Sequence, residues 1–444
     1  MRLTVMMVIL AAAVLEPAAQ EGSWHYVEVS DAHSQGFGLG LGDLTGDGYA
    51  DIASCNHFYR NPGGDLSGEW VAVRFPVTVD VSIVTDVDGD EFGDVFGSSC
   101  GTQYWLEAED RQGSSWRSVQ VGAVSDICNH GTGPQGYLAA DLVAGGREEI
   151  VMTERESSAG SVIMFSIPAR PEADDWPHVR IASESNGESV AAADFDGDGD
   201  LDLCGAWSGG SVCWWENPGV WAFDWTRHEV GRTNSHGAER FAAGDIDGDA
   251  FPDIVVSEEN MGGADDCHIH WFANPGTDGQ WHRATIGVQN GTFGMSVGDV
   301  DGDGDLDVVT GENGRGGYDG TEETVVWANE GTGESWEKRV VATGMESHHG
   351  SRVYDMDADG DLDIVSICFD THEQIHLWRN DLPVGVRWPV ASSGRSAALS
   401  VPPVRAVDVL GRRGCPAAEG WRIVVGRGRR GTAGSAPRVF VRVR

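Results

Sequence analysis

The apolar positions of the chain fall in short β-like runs that return in a fixed order. A tryptophan-led run, first seen as Trp24-His25-Tyr26-Val27-Glu28-Val29, returns from Trp70, Trp116, Trp176, Trp225, Trp281 and Trp336. A run of small residues, as in Glu188-Ser189-Val190-Ala191-Ala192-Ala193, leads into an acidic turn. Beyond the turn lies another apolar run, Leu201-Asp202-Leu203-Cys204-Gly205 or Ile254-Val255-Val256. An aromatic run then often ends in Asn-Pro, as at Trp214-Trp215-Glu216-Asn217-Pro218 and His270-Trp271-Phe272-Ala273-Asn274-Pro275. Seven units can be traced, their acidic turns starting 43 to 56 residues apart. Strand-length runs at this period build antiparallel propeller blades.

The expected fold is therefore all-β: a seven-bladed β-propeller of four-stranded antiparallel blades over residues 20–381. The first tryptophan run precedes any acidic turn, and the last aromatic run, Ile375-His376-Leu377-Trp378, has no regular tryptophan run after it. Pairing these two orphans closes the circle with the N-terminal strand. It also removes two strand edges that would otherwise invite aggregation.

The turns carry the chemistry. Asp194-Phe195-Asp196-Gly197-Asp198-Gly199-Asp200-Leu201-Asp202 packs five carboxylates into nine residues. Such density needs a cation. Calcium takes six to eight oxygens and suits ligands at positions 1, 3 and 5, a backbone carbonyl at 7 and a closing carboxylate. The candidate metal ligands are Asp43, Thr45, Asp47 and Asp51 in the first turn, and Asp86, Asp88, Asp90 and Asp94 in the second. They continue as Asp194, Asp196, Asp198 and Asp202, then Asp245, Asp247, Asp249 and Asp253. The last two sets are Asp299, Asp301, Asp303 and Asp307, and Asp355, Asp357, Asp359 and Asp363. Glu91 and Ala250 stand at position 6, where glycine would ease the turn. The remaining copy, Asp141 to Glu149, has lost its middle carboxylates, and Arg147 there offers a positive charge in place of a metal.

The formal charge of −40 and 40% hydrophobic content fit a folded chain with a substantial core. Acidity of this order argues against nucleic acid and anionic membrane surfaces as partners. Residues 1–19 read as a secretory signal peptide, with Arg2, an apolar run Leu3–Leu15 and Pro17-Ala18-Ala19 before the cut. No later segment is apolar enough to span a membrane. The expected location is secreted or on a bacterial cell surface.

Phe37-Gly38-Leu39-Gly40-Leu41-Gly42 before the first acidic turn, and Phe293-Gly294 before Asp299, resemble the FG-GAP repeat, also called the VCBS-type repeat. The resemblance covers roughly residues 24–381 and implies a propeller like the integrin α-subunit head, with calcium in the acidic hairpins. It implies little about activity. Residues 382–400 read as a linker. In the tail, 401–444, Val404-Arg405-Ala406-Val407-Asp408-Val409-Leu410-Gly411-Arg412-Arg413 and the terminal Val439-Phe440-Val441-Arg442-Val443-Arg444 are similar to the sorting domains of type IX secretion. The other reading of the tail is a disordered basic segment.

The acidic hairpins share one face, so the connections from second to third strand and from one blade to the next lie on the other. There His130, His236 and His348, with Glu258 and Glu312, are expected to ring the channel mouth and bind a ligand. Polar turns with no ligand are the alternative. Cys204 and Cys213 flank a short hairpin and are a candidate disulfide. No nucleophile elbow, phosphate loop or dinucleotide fingerprint is present. The expected function is a calcium-stabilised module for adhesion or recognition that binds an extracellular protein or glycan. The alternative is a carbohydrate-active enzyme, a polysaccharide lyase or hydrolase, working at the channel mouth.

Overall fold

The computed structural model describes residues 24–382, apart from 34–35, 81, 91, 100, 125–134, 155–159, 173–174, 208–209, 235–236, 260–266, 277–278, 314–320, 348 and 370–372. The expected leader, the tail and the linker beyond Leu382 lie outside the described residues, as do His130, His236 and His348.

The described chain is all-β and forms seven antiparallel units of four strands. Blade 5 shows the plan. Its strands, Gly237–Gly244, Asp253–Glu259, Cys267–Ala273 and His282–Gln289, pair in chain order from inside to outside. The acidic turn joins the first strand to the second, as the sequence pattern predicts. The other inner strands are Gly40–Gly42, Ile83–Thr85, Tyr137–Ala140, Thr292–Gly298 and His349–Tyr354, with blade 4 using the end of His178–Ala193. Inner strands are buried almost throughout, which explains their small and apolar residues. A Cβ on Gly40 would come within 2.8 Å of the Ser82 carbonyl oxygen in the next blade. Outer strands are largely exposed, since only one side of each is covered: Val29 and Val230 are the buried positions of His25–Ser30 and Thr226–Arg232.

Adjacent blades meet in hydrophobic clusters. One face of blade 5 packs Ile254, Val256 and Phe272 against Cys204, Val212 and Trp214 of blade 4. Its other face packs Val255, Ile269 and Trp271 against Met295, Val308 and Val325 of blade 6. The recurrent tryptophans are blade-edge packing: Trp70, Trp116 and Trp176 are buried, each donating its indole N–H to the carbonyl of a preceding turn residue, Leu66, Gly113 or Pro171.

The N-terminal strand, His25–Ser30, completes blade 7 by pairing antiparallel with Ile375–Arg379. Blades 7 and 1 share a cluster in which Met356, Val365 and Leu377 meet Leu41, Ile52 and Tyr59. One departure from the sequence pattern lies between blades 3 and 4. There the outer strand of one and the inner strand of the next are a single 16-residue strand, His178–Ala193, paired on both sides.

The expected disulfide is corrected. Cys204 lies opposite Trp214 and Cys213 opposite Gly205, so the two cysteines occupy successive register positions and face opposite sides of the sheet. Cys204 packs toward blade 5 and Cys213 toward blade 3, and both are free and buried.

Candidate metal centres and the opposite face

Each acidic turn is shaped by its first aspartate. Asp43 accepts the Gly46 N–H on Oδ1 at 2.6 Å and the Gly48 N–H on Oδ2 at 2.8 Å. Asp194 does the same with Gly197 and Gly199, and Asp299 with Gly302 and Gly304. The turn requires left-handed backbone at its fourth and sixth positions, and Ala250 adopts it at φ +77° despite its Cβ. Carboxylates then converge. Ligand oxygens of Asp86, Asp88 and Asp90 lie within 4.8 Å of one another, as do those of Asp194, Asp196 and Asp202. The sets Asp245, Asp247, Asp249 and Asp299, Asp301, Asp303 converge equally closely.

A hard divalent cation fits these turns. Thr45 Oγ1, Asp245 Oδ1 and Asp357 Oδ1 are buried oxygens without a hydrogen-bond partner, each at a first or third loop position. Burial and neighbouring carboxylates push Asp88, Asp196 and Asp247 above the usual range, and Asp303 and Asp357 up to about 6. All-oxygen sites of this charge suit calcium.

The ninth residue has a second duty. Asp253 accepts the Ile246 N–H on Oδ2 and the Asn274 N–H on Oδ1, joining the start of the turn to the end of the third strand. Asp51, Asp202, Asp307 and Asp363 repeat both bonds. Burial pushes Asp51, Asp202 and Asp253 up to about 7 and Asp94, Asp307 and Asp363 to about 8, against the pull of these N–H groups. The asparagine completes the brace. Asn274 donates to Pro252 O in its own blade and to Phe195 O in blade 4. Asn217, Asn329 and Asn380 likewise reach the preceding blade, at Leu142, Ile246 and Val300. Asn61 of blade 1 reaches Met356 of blade 7 by the same bond. Blade 3 carries no such asparagine, and there Arg147 bridges Pro168 O of its own blade and Asp88 O of blade 2. Its charge is thus directed at the neighbouring turn.

On the opposite face, Glu258 and Glu312 do not line the central cavity. Both are buried and bonded beside it. Glu258 accepts N–H bonds from Asn234 and His268 and is flanked by His268 Nδ1 at 3.0 Å and His270 Nε2 at 3.1 Å. Burial alone would raise this carboxyl, but the bonds from His270, Asn234 and His268 bring it down to about 2. Glu312 is held by Thr321 and by the N–H groups of Glu323 and Asn290. The cavity itself is about 60 Å³ and is lined by Arg240, Gln135, His349, Arg352, Ser189 and Phe37, among others. Arg240 plugs it. Its guanidinium donates to Phe293 O and Glu188 O, both at 2.6 Å, and to Gln135 Oε1 at 2.9 Å, and lies 3.2 Å from His349 Nδ1.

Among the described residues, the acidic-loop face carries one apolar projection. Between the third and fourth strands of blade 4, Val220, Trp221 and Phe223 are 58%, 36% and 71% exposed. Among the described residues the corresponding connections elsewhere expose no large apolar side chain, Leu66 and Ile167 being buried. The projection sits beside the acidic turn of its own blade, for a Cβ on Gly219 would strike Asp200 Oδ2.

Comparison with known families places this geometry. Residues 194–256 match the FG-GAP-like repeat family. No curated protein matches the chain. Among solved structures, BBS1N in complex with ARL6DN is similar with a TM-score of 0.51 at 11% identity, covering 82% of this chain and 98% of that one. A lectin of Agrocybe aegerita that recognises non-reducing terminal N-acetylglucosamine gives 0.47 at 16% identity, over 71% and 81%. The biofilm matrix protein Bap1 of V. cholerae gives 0.44 at 10% identity, over 82% and 91%. At 11% identity the likeness to BBS1N speaks for the fold alone.

The FG-GAP-like match runs from the acidic turn of blade 4 into the second strand of blade 5. The apolar projection and the asparagine brace of blade 4 lie inside it. The sequence pattern marked the Asn-Pro ends without assigning them a role. It also passed over His268 and His270, whose alternation on one strand was the available signal, and Arg240, a charge within an apolar inner strand.

Proposed function

We propose that the protein is an exported, calcium-stabilised propeller that binds an extracellular protein or glycan through its acidic-loop face. The observation that carries the binding role is the exposed Val220, Trp221 and Phe223 on a connection that, among the described residues, exposes no large apolar side chain in the other repeats. Aromatic side chains of this kind supply large contact area to proteins and stacking surfaces to sugar rings. The adjacent turn, with Asp194, Asp196 and Asp202 converging, would hold the projection in place once calcium is bound. The plugged cavity of about 60 Å³ favours binding over catalysis in the channel, since ligand pockets run to roughly 300–1,000 Å³.

The test is a screen of glycans and surface proteins with the calcium-loaded chain, repeated with Trp221→Ala/Phe223→Ala. The double variant should keep the melting temperature of the parent and lose at least tenfold in affinity for any hit. Chelation should lower the melting temperature, and calcium should restore it. A hit whose affinity survives both the double substitution and chelation would place binding elsewhere on the molecule.

A further inference from the structure

We propose that Glu258, His268 and His270 form a transition-metal site, best suited to zinc, on the face opposite the calcium turns. The three residues come from two adjacent strands of blade 5. His268 and His270 are two apart on one strand, so both side chains leave the same side of the sheet, and Glu258 stands at the end of its neighbour. The ligand atoms converge: His268 Nδ1 is 3.0 Å from one Glu258 oxygen and His270 Nε2 is 3.1 Å from the other. All three donors lie within 4.8 Å of one another. Zinc bonds of about 2.0–2.1 Å set tetrahedral ligand atoms roughly 3.3 Å apart, so small shifts would admit an ion among them.

The donor set distinguishes this site from the acidic turns. Two imidazoles and one carboxylate match zinc and its first-row neighbours, whereas calcium takes oxygen alone. The surroundings are arranged as a metal ligand's are. Thr285 Oγ1 lies 3.3 Å from His270 Nδ1, on the far side of the ring from Glu258. Without an ion Nε2 carries the proton it shares with Glu258; with an ion bound, a proton held on Nδ1 by Thr285 would free the Nε2 lone pair to ligate it. The two rings are parallel, within 4°, with centroids 5.5 Å apart. Glu258 and His270 are fully enclosed, while the His268 side chain is 26% exposed, so the site opens to solvent on one side. Three protein ligands with an open side leave a fourth position for water or a donor from a bound molecule.

The proposal does not depend on the function given above. Its test uses the full chain with the calcium turns saturated. Titration with Zn2+ should show one tight equivalent, and Co2+ in its place should give the visible absorption of a four-coordinate ion with nitrogen ligands. His268→Ala, at the partly exposed position, should weaken this binding at least tenfold while the melting temperature in calcium is kept. His282→Ala, on the exposed outer strand, should leave it unchanged. If the His268 variant fails to fold, electron paramagnetic resonance of the unmutated chain loaded with one equivalent of Cu2+ should still report two coordinated imidazoles. Absence of a stoichiometric site in the calcium-loaded chain overturns the proposal. Binding that His268→Ala leaves intact overturns it too, since the histidine–carboxylate contacts then serve only to satisfy a buried acid.

Discussion

His33 is fully enclosed, with its Nε2 2.8 Å from Ser54 Oγ. Ser54 spends its own hydroxyl proton on Gly38 O, so the histidine is the donor in this pair. Burial, with a further push from His57, lowers its pKa to about 4. The sign of the consequence follows. In the unfolded chain the ring takes up a proton near pH 6.5, and in the folded chain only near 4, so acidification between these values favours unfolding. Stability from this residue should be complete above pH 6.5 and should fall by at most about 3 kcal/mol on the way to pH 4. Carboxylates of the acidic turns titrate across the same window. The measurement is therefore the difference between parent and His33→Gln in urea unfolding at a series of pH values. The parent should lose more stability than the variant on acidification, and equal slopes would remove His33 from the account.

Above the single residue, the recurring element is a turn braced by its ninth residue and by the asparagine at the end of the third strand. Asn274 makes two donor bonds, one across the blade boundary to Phe195 O at 2.8 Å and one to Pro252 O at 3.0 Å, while its Oδ1 accepts the Gly276 N–H. Asn274→Ala should cost about 2 kcal/mol in urea unfolding, because buried carbonyls lose their donors. Asn274→Asp keeps the acceptor and removes the donors, so it should cost at least as much. A near-neutral aspartate variant would show that the cross-blade bonds carry little. The acidic turns were legible in the sequence because carboxylates at fixed spacing have few structural uses other than holding a cation. The strand order was legible because tryptophan, small and aromatic runs follow burial on an outer, inner and intermediate strand. What resisted reading was register. Eight residues separate Cys204 from Cys213, and only the observed pairing of Trp207 with Ser211 fixes them on opposite sides of the sheet. The brace was also hidden, since an asparagine at a strand end, as in Asn274-Pro275, reads as an ordinary turn residue until its partner in the preceding blade is seen.

At the scale of the molecule, two further devices join the asparagine braces in tying the blades together. The first lies at the centre, where the Arg240 guanidinium of blade 5 meets Gln135 and Glu188 at the inner edges of blades 3 and 4, and Phe293 and His349 of blades 6 and 7. Tyr137 adds a second span, its hydroxyl donating to Phe37 O and accepting the Leu39 N–H. The other device is at the periphery, where His25–Ser30 lies along Ile375–Arg379 with Tyr26 opposite Trp378 and Val27 opposite Leu377. Removing that strand would leave the outer edge of Ile375–Arg379 without backbone partners and uncover part of the cluster that Val27 and Val29 share with Leu377 and Tyr59. An unpaired apolar edge is a template for association. A chain beginning at Asp31 should therefore unfold at lower urea than the parent and elute as dimers or larger species. A synthetic peptide of residues 24–30 should reverse both effects by adding a strand to the open edge. Scrambling the peptide so that valines leave positions 27 and 29 should abolish the rescue, because those side chains reach the core whereas the backbone bonds are indifferent to sequence. Should the shortened chain remain monomeric and as stable as the parent, the first strand would be an ornament of blade 7, and the central arginine and the asparagine braces would have to hold the blades together by themselves.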